Sequence, residues 1–176
     1  MIPIARPDIG PEEIQAVTDV LTSGMIAQGR KVAELETRWA EYCGVKHALV
    51  TNSGTSAIHM ALAAAGIEPG DEVVVPSFTF VSTINAFVLR GAKPVFADVR
   101  PDTLNLDETR LEPLVTERTK AVVPVHYAGV GCEMRSIGKI AARHNLTVVE
   151  DNAHGLFGRY RGRYLGTFGA LAALSF

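Results

Sequence analysis

Cysteine is scarce: Cys43 and Cys132 are the only two, and they lie far apart in the chain. That excludes a disulfide framework and leaves no thiolate metal site; both are read as reduced, half-buried thiols beside helix ends. Neither charge sign dominates. Seventeen Lys and Arg face nineteen Asp and Glu, a net charge of −2. Such a balance carries no electrostatic footprint for nucleic acid or an anionic membrane surface. No run of about 18 uncharged apolar residues exists, so no membrane-spanning helix is expected. The stretch Met1 to Gly10 holds two prolines and an acid but no apolar h-region, which excludes a signal peptide. Two glycine signatures are missing as well. No Gly-x-Gly-x-x-Gly follows a strand, and no Gly-Lys-Ser/Thr phosphate loop occurs, so the commonest nucleotide-binding readings lose support. These absences predict a soluble, cytoplasmic protein.

What is present is ordinary globular composition, 47% apolar and 20% charged over 176 residues. That length is one domain's worth at roughly 100–200 residues per domain. Strand-like and helix-like segments alternate along it. Pro11 opens a helix with the stripe Ile14, Val17, Leu21, and Gly24 ends it. A second helix runs from about Lys31 to Cys43, with Val32, Leu35, Trp39 and Tyr42 on one face and Gly44 as its stop. A short strand is expected over 47–51, a turn over 52–56, and a central, covered helix over 57–66. Strands follow at 72–75, 93–97, 120–125 and 146–149. Helices follow at 80–89, at 107–116 behind an Asp107 cap, and at 134–144. The apolar, β-branched strands are continuous rather than alternating. That marks a parallel sheet covered on both faces, a three-layer α/β/α arrangement. The end, Ala170 to Phe176, reads as the inside of a buried strand, which predicts a chain cut short.

In an open parallel sheet, ligands bind beyond the C-terminal ends of the strands. Candidate residues there are Ser53 to Ser56, Pro76 to Phe80, Asp98, His126, Tyr127, Gly129, Asp151 to His154, and Ser175. The turn Ser53-Gly54-Thr55-Ser56 opens a helix; glycine permits close approach, and free N–H groups with adjacent hydroxyls suit a phosphate. A plain capped turn is the competing reading. Asp151 ends a buried strand, where a carboxylate needs a partner; a cationic ring nitrogen or a structural salt bridge would each serve. Phe78 and Phe80 could stack on a flat ring, one of the two being expected in the core. His154 could reach a ring substituent, or be a structural histidine. Together these residues describe a ligand with a phosphate, a flat ring and a protonated ring nitrogen, and pyridoxal phosphate has all three.

The residues that carry a family resemblance are Ser23-Gly24 with Ala27-Gln28-Gly29, Thr51 to Ser56, Gly70-Asp71-Glu72-Val73, Pro76 to Phe80, Pro94 to Val99, and Val149 to His154. Through them the whole chain resembles the DegT/DnrJ/EryC1/StrS sugar aminotransferases, of aminotransferase fold type I. The blocks Phe80 to Val99 and Val123 to Gly129 look most like members that make dTDP-4-amino-4,6-dideoxygalactose. The resemblance implies an N-terminal part of the large, pyridoxal-phosphate-binding domain over 1–176. Gly54, Thr55, Ser56 and Ser175 would hold the phosphate, Phe80 would stack on the ring, Asp151 would pair with its nitrogen, and His154 would meet its phenolic oxygen. Asn152 departs from the family's usual Ala and would put a polar group beside the site.

The Schiff-base lysine is expected about four residues past Phe176, and the small C-terminal domain beyond that. Lys31, Lys46, Lys93, Lys120 and Lys139 all fall away from the strands' C-terminal edge. The expected reaction is amino transfer from glutamate to a nucleotide-linked 4-keto-6-deoxy sugar, by a homodimer when full length. The alternatives are a family relative that dehydrates a sugar with histidine at the lysine position, an inactive truncated product, and a subunit that only binds a partner.

Overall fold

A computed structural model describes residues 6–176; residues 1–5 of the stretch read for a leader lie outside the described residues. The chain divides into two compact units, one ending at Val50 and the other spanning Thr51–Phe176. The first holds helices α1 (Pro11–Thr22) and α2 (Arg30–Cys43). Pro11 occupies the first helical turn, where its missing N–H is no loss, and the Glu13 carboxylate accepts from the Gly10 N–H at 2.7 Å. Gly44 closes α2 in the left-handed region (φ 67°), where a side chain is unfavourable. Trp39 and Tyr42 stack at 5.7 Å on α2. The stripe Ile14, Val17, Leu21 is exposed, so periodicity placed the helix without burying its face. The expected strand over 47–51 does not form. A strand needs a hydrogen-bonding neighbour, and no described strand pairs with this segment.

The second unit is built on five parallel strands: β1 (Glu72–Pro76), β2 (Lys93–Ala97), β3 (Thr119–Val122), β4 (Thr147–Asn152) and β7 (Leu171–Leu174), in the order β2-β1-β3-β4-β7. A short antiparallel hairpin of β5 (Arg159–Tyr160) and β6 (Arg163–Tyr164) lies between β4 and β7. The hairpin was not foreseen, because Arg-Tyr-Arg-Gly-Arg-Tyr has little apolar alternation. Helices α3 (Gly54–Ala64) and α4 (Val81–Val88) cover one face; Ile58, Leu62, Ala86 and Phe87 pack there with Val73, Val75, Val149 and Ala173. Helix α5 (Met134–His144) covers the other, where Met134, Ile137 and Ala141 pack with Val74, Val122 and Val148. Neighbouring valines of β1 thus serve opposite layers, which is why the strands lack polar alternation. The three-layer α/β/α expectation holds.

Several boundaries differ. Helix α3 starts at Gly54 rather than Ala57, because Ser53 caps it. Only Ile58, Ala61 and Leu62 of α3 are buried, and Met60 is 48% exposed, so α3 is not covered all round. The expected helix over 107–116 is two 3₁₀ turns, Glu108–Arg110 and Glu112–Leu114. Pro113 there offers no N–H for a longer helical ladder. Strand β3 stops at Val122; Pro124 has no N–H to extend its ladder, although its carbonyl takes the Asp151 N–H and Val125 bridges to Asp151. Cys132 is fully buried rather than half-buried. No helix among the described residues is long and apolar enough to cross a membrane.

The chain leaves β1 for β2 on one side and later returns to β3 on the other. The sheet's switch point therefore falls beyond the ends of β1 and β3, where such sheets hold ligands.

Candidate functional site

Helix α3 begins against the end of β7. A Cβ on Gly54 would lie 2.9 Å from the Ser175 Cβ and 3.0 Å from its Oγ, so only glycine permits this approach. The Ser53 Oγ accepts from the Ser56 N–H at 3.1 Å, and the Ser53 carbonyl takes the Ala57 N–H. Ser56 Oγ donates to Asn52 Oδ1 at 2.7 Å, which ties the turn together. Among the described residues, the Gly54 and Thr55 N–H groups find no acceptor, and the exposed Thr55 hydroxyl stands beside them. This is the positive end of a helix with two unused donors, next to a serine hydroxyl.

One strand over, Asp151 pairs in register with Ala173 and Asn152 with Leu174. Ser175 therefore follows directly beyond the Asn152–Leu174 row, two residues past the partner of Asp151, on a strand about 4.8 Å away in the sheet direction. Asp151 is 6% exposed. Its Oδ2 accepts from Thr83 Oγ1 of α4 at 2.7 Å, and its Oδ1 accepts from the Ala153 N–H at 3.2 Å. No described Lys, Arg or His nitrogen lies within 4 Å of it. The structural salt bridge offered by the sequence is thus absent among the described residues, and a buried carboxylate stands supported by neutral donors alone.

A third group closes the edge. Phe78, Tyr127 and His154 form a run of rings, with centroids 4.6 Å and then 5.3 Å apart. His154 Nδ1 accepts from the Ala128 N–H at 3.3 Å, which places the ring proton on Nε2 and leaves it to donate outward. Phe80 caps α4 and is 71% exposed; Phe78 is 40% exposed. Neither is core, contrary to expectation, because both sit on the loop beyond β1 rather than in the strand.

Asn152 corrects another expectation. Strand alternation turns it away from Asp151, and its Nδ2 donates to the Leu165 carbonyl at 3.1 Å. It is 1% exposed, its Oδ1 finds no described partner, and it fastens the returning loop rather than facing the ligand edge. Glu150, fully buried, points the same way. Its carboxylate accepts from His126 Nε2 at 2.8 Å and from the N–H groups of Gly166, Phe168 and Gly169. His126 Nδ1 accepts from the Cys132 N–H, so Nε2 carries the proton. Burial pushes the Glu150 pKa up, but the His126 and glycine donors outweigh it and hold it below the usual range.

The sequence did not single out Thr83. A threonine inside an apolar helix pattern reads as a packing residue, and only the α4-to-β4 contact shows what its hydroxyl meets.

The arrangement defines a class: a doubly covered parallel α/β domain presenting a helix terminus suited to an anion and, one strand away, a buried carboxylate bonded to neutral donors alone among the described residues. The chain belongs to the DegT/DnrJ/EryC1/StrS aminotransferase family, whose sequence pattern matches residues 7–176. The spore coat polysaccharide biosynthesis protein SpsC of Bacillus subtilis is 48% identical over 175 residues, covering 99% of this chain and 45% of SpsC. The crystal structure of an aminotransferase from Psychrobacter cryohalolentis superposes with a TM-score of 0.94 at 38% identity, covering 99% of this chain and 45% of that one. A Streptococcus pneumoniae protein described as a sugar aminotransferase, in its PLP form, gives 0.93 at 33%, covering 99% and 48%, and it is also known in a PMP form. The chain spans about half the length of these relatives.

Proposed function

We propose that this chain forms the cofactor-binding portion of a pyridoxal-phosphate-dependent aminotransferase acting on a nucleotide-linked 4-keto-6-deoxy sugar, with glutamate as amino donor. The observation that carries the reading is Asp151: a buried carboxylate at a strand's C-terminal end, bonded only to a hydroxyl and an amide among the described residues. Burying such a charge without a cation is expensive, and a protonated ring nitrogen offsets it. The Gly54 and Thr55 N–H groups, with the Thr55 and Ser175 hydroxyls, hold the phosphate, and the Ser56 hydroxyl joins them by turning its proton away from Asn52. His154 Nε2–H donates to the phenolic oxygen, and exposed Phe80 covers the ring. When bound, the cofactor supplies an electron sink for bond breaking at the amino-bearing carbon. Asp151 keeps the ring nitrogen's proton in place, which is what that sink requires. The relatives' descriptions as sugar aminotransferase and polysaccharide biosynthesis protein support the substrate class. Within this class the blocks noted above favour dTDP-4-amino-4,6-dideoxygalactose as product, and the working state proposed is a cytoplasmic homodimer.

Pyridoxamine phosphate tests the reading, because its binding needs no Schiff-base lysine. The expected result is saturable one-to-one binding that Asp151→Asn weakens about tenfold or more, since a charge-assisted hydrogen bond is lost. Equal binding by both proteins overturns the ring-nitrogen assignment.

A further inference from the structure

Asp151 cannot hold a ring nitrogen usefully unless its own carboxylate is held in one orientation. A short aspartate has two free torsions, and this one has no ion pair among the described residues to fix them. The structure supplies the missing constraint from α4. Thr83 is 0% exposed, and its Oγ1 lies 2.7 Å from Asp151 Oδ2, across 68 residues of sequence. The same Oγ1 lies 2.9 Å from Thr79 Oγ1, and either hydroxyl could be the donor in that pair taken alone. Asp151 decides the direction. An ionised carboxylate only accepts, so the single Thr83 proton goes to Oδ2. Thr79 must then donate to Thr83. The result is a one-way chain, Thr79 to Thr83 to Asp151, running from the loop beyond β1 into the end of β4.

We infer that Thr83 is a positioning residue for the cofactor site, that it orients the Asp151 carboxylate toward the ring nitrogen, and that Thr79 sets the direction of its hydroxyl. The inference rests on the functional reading above and deepens it. Oδ2 is committed to Thr83 and Oδ1 to the long Ala153 contact, so the lone pairs left over point in fixed directions rather than sampling the edge. Hydrogen bonds aligned in a chain also polarise one another in a low-dielectric surrounding, which strengthens the terminal bond to the carboxylate. A valine at 83 would fill the same space and break the chain at its middle.

The test measures pyridoxamine phosphate binding by fluorescence in wild type, Thr83→Val, Thr83→Ser and Thr79→Val, each also in an Asp151→Asn background. Thr83→Val is expected to weaken binding about tenfold, the scale of one hydrogen bond to a charged group. Thr83→Ser restores the wild-type value. Thr79→Val loses about two- to threefold, as the neutral bond behind it does less. None of the losses persists when residue 151 is Asn. In parallel, the ¹⁵N resonance of ring-labelled ligand moves toward the unprotonated position in Thr83→Val and not in Thr83→Ser. A purely structural threonine would cost the same in both backgrounds and leave the ring-nitrogen resonance alone; that result overturns the inference, as does unchanged binding in Thr83→Val. If Thr83→Val fails to fold, the Thr79→Val loss and its dependence on Asp151 decide the matter. Wild-type protein that binds no ligand sinks the functional reading with it, whereas wild-type binding indifferent to Thr83 and Thr79 sinks this inference alone.

Discussion

At the scale of single residues, contacts between glycines and polar side chains hold the site's framework together. Gly54 lets α3 meet Ser175, and Gly155 lies against Asn152 so tightly that a Cβ there would fall 1.8 Å from its Oδ1. Asn152 cannot move away freely, being buried and bonded to the Leu165 carbonyl. Gly155→Ala is therefore expected to destabilise the protein by about 1–3 kcal/mol, the range for forcing atoms into a filled interior. A shift in the urea midpoint with an unchanged slope is the measurement. A neutral outcome would mean that the Asn152 side chain turns elsewhere without loss. Cys132 illustrates the opposite case, a group that burial makes inert: its thiol donates to the Val125 carbonyl, and burial pushes its pKa up to about 12.

At the scale of elements, α3 carries the largest share of the proposed phosphate contact, and its start is set by one side chain. Ser53 sits in extended backbone (φ −167°, ψ 157°) and its hydroxyl takes the Ser56 N–H. Ser53→Ala removes that acceptor, and loss of such a cap costs about 0.5–2 kcal/mol. The expected outcome is a lower thermal midpoint, together with weaker binding of pyridoxamine phosphate, because the Gly54 and Thr55 donors are no longer held in register. Inorganic phosphate competing for the ligand gives a second reading of the same cradle. Unchanged competition in Ser53→Ala would show that Gly54 against Ser175 suffices to place the helix end. Element boundaries failed in the sequence where hydrogen bonding, not hydrophobicity, decided them: at Ser53, at Pro113 and at Pro124.

At the scale of the molecule, Glu150 ties together parts that are distant in sequence. It gathers His126 from the loop after β3 and three backbone N–H groups from the loop before β7. Its pKa is depressed on folding, because these donors outweigh the burial that raises it. A depressed carboxylate contributes stability that is complete above the unfolded value, about 4.3, and that is lost as pH falls through the folded value. Urea unfolding between pH 5 and pH 3 is expected to show a steep fall in wild type. Glu150→Gln should start about 2–4 kcal/mol less stable at pH 7, since it turns an amide donor toward N–H groups that need an acceptor. It should also flatten the acid slope. Parallel curves for the two proteins would place the acid sensitivity elsewhere.

Much of this protein was legible from local pattern alone. The parallel sheet, the two helical layers and the positions of β1, β2 and α5 follow from valine runs, helical stripes and turn residues, because those signals are short-range. The strand expected at 47–51 did not form, since a strand depends on a neighbour that its own residues cannot supply. Helix α1 formed without burying its stripe for a similar reason: period reports helix, not what covers it. Tertiary structure alone decided that Asn152 turns away from the ligand edge while Asp151 faces α4, because alternation along β4 assigns adjacent residues to opposite layers. It alone joined Thr83 to Asp151, a contact between two elements whose sequences contain no sign of each other.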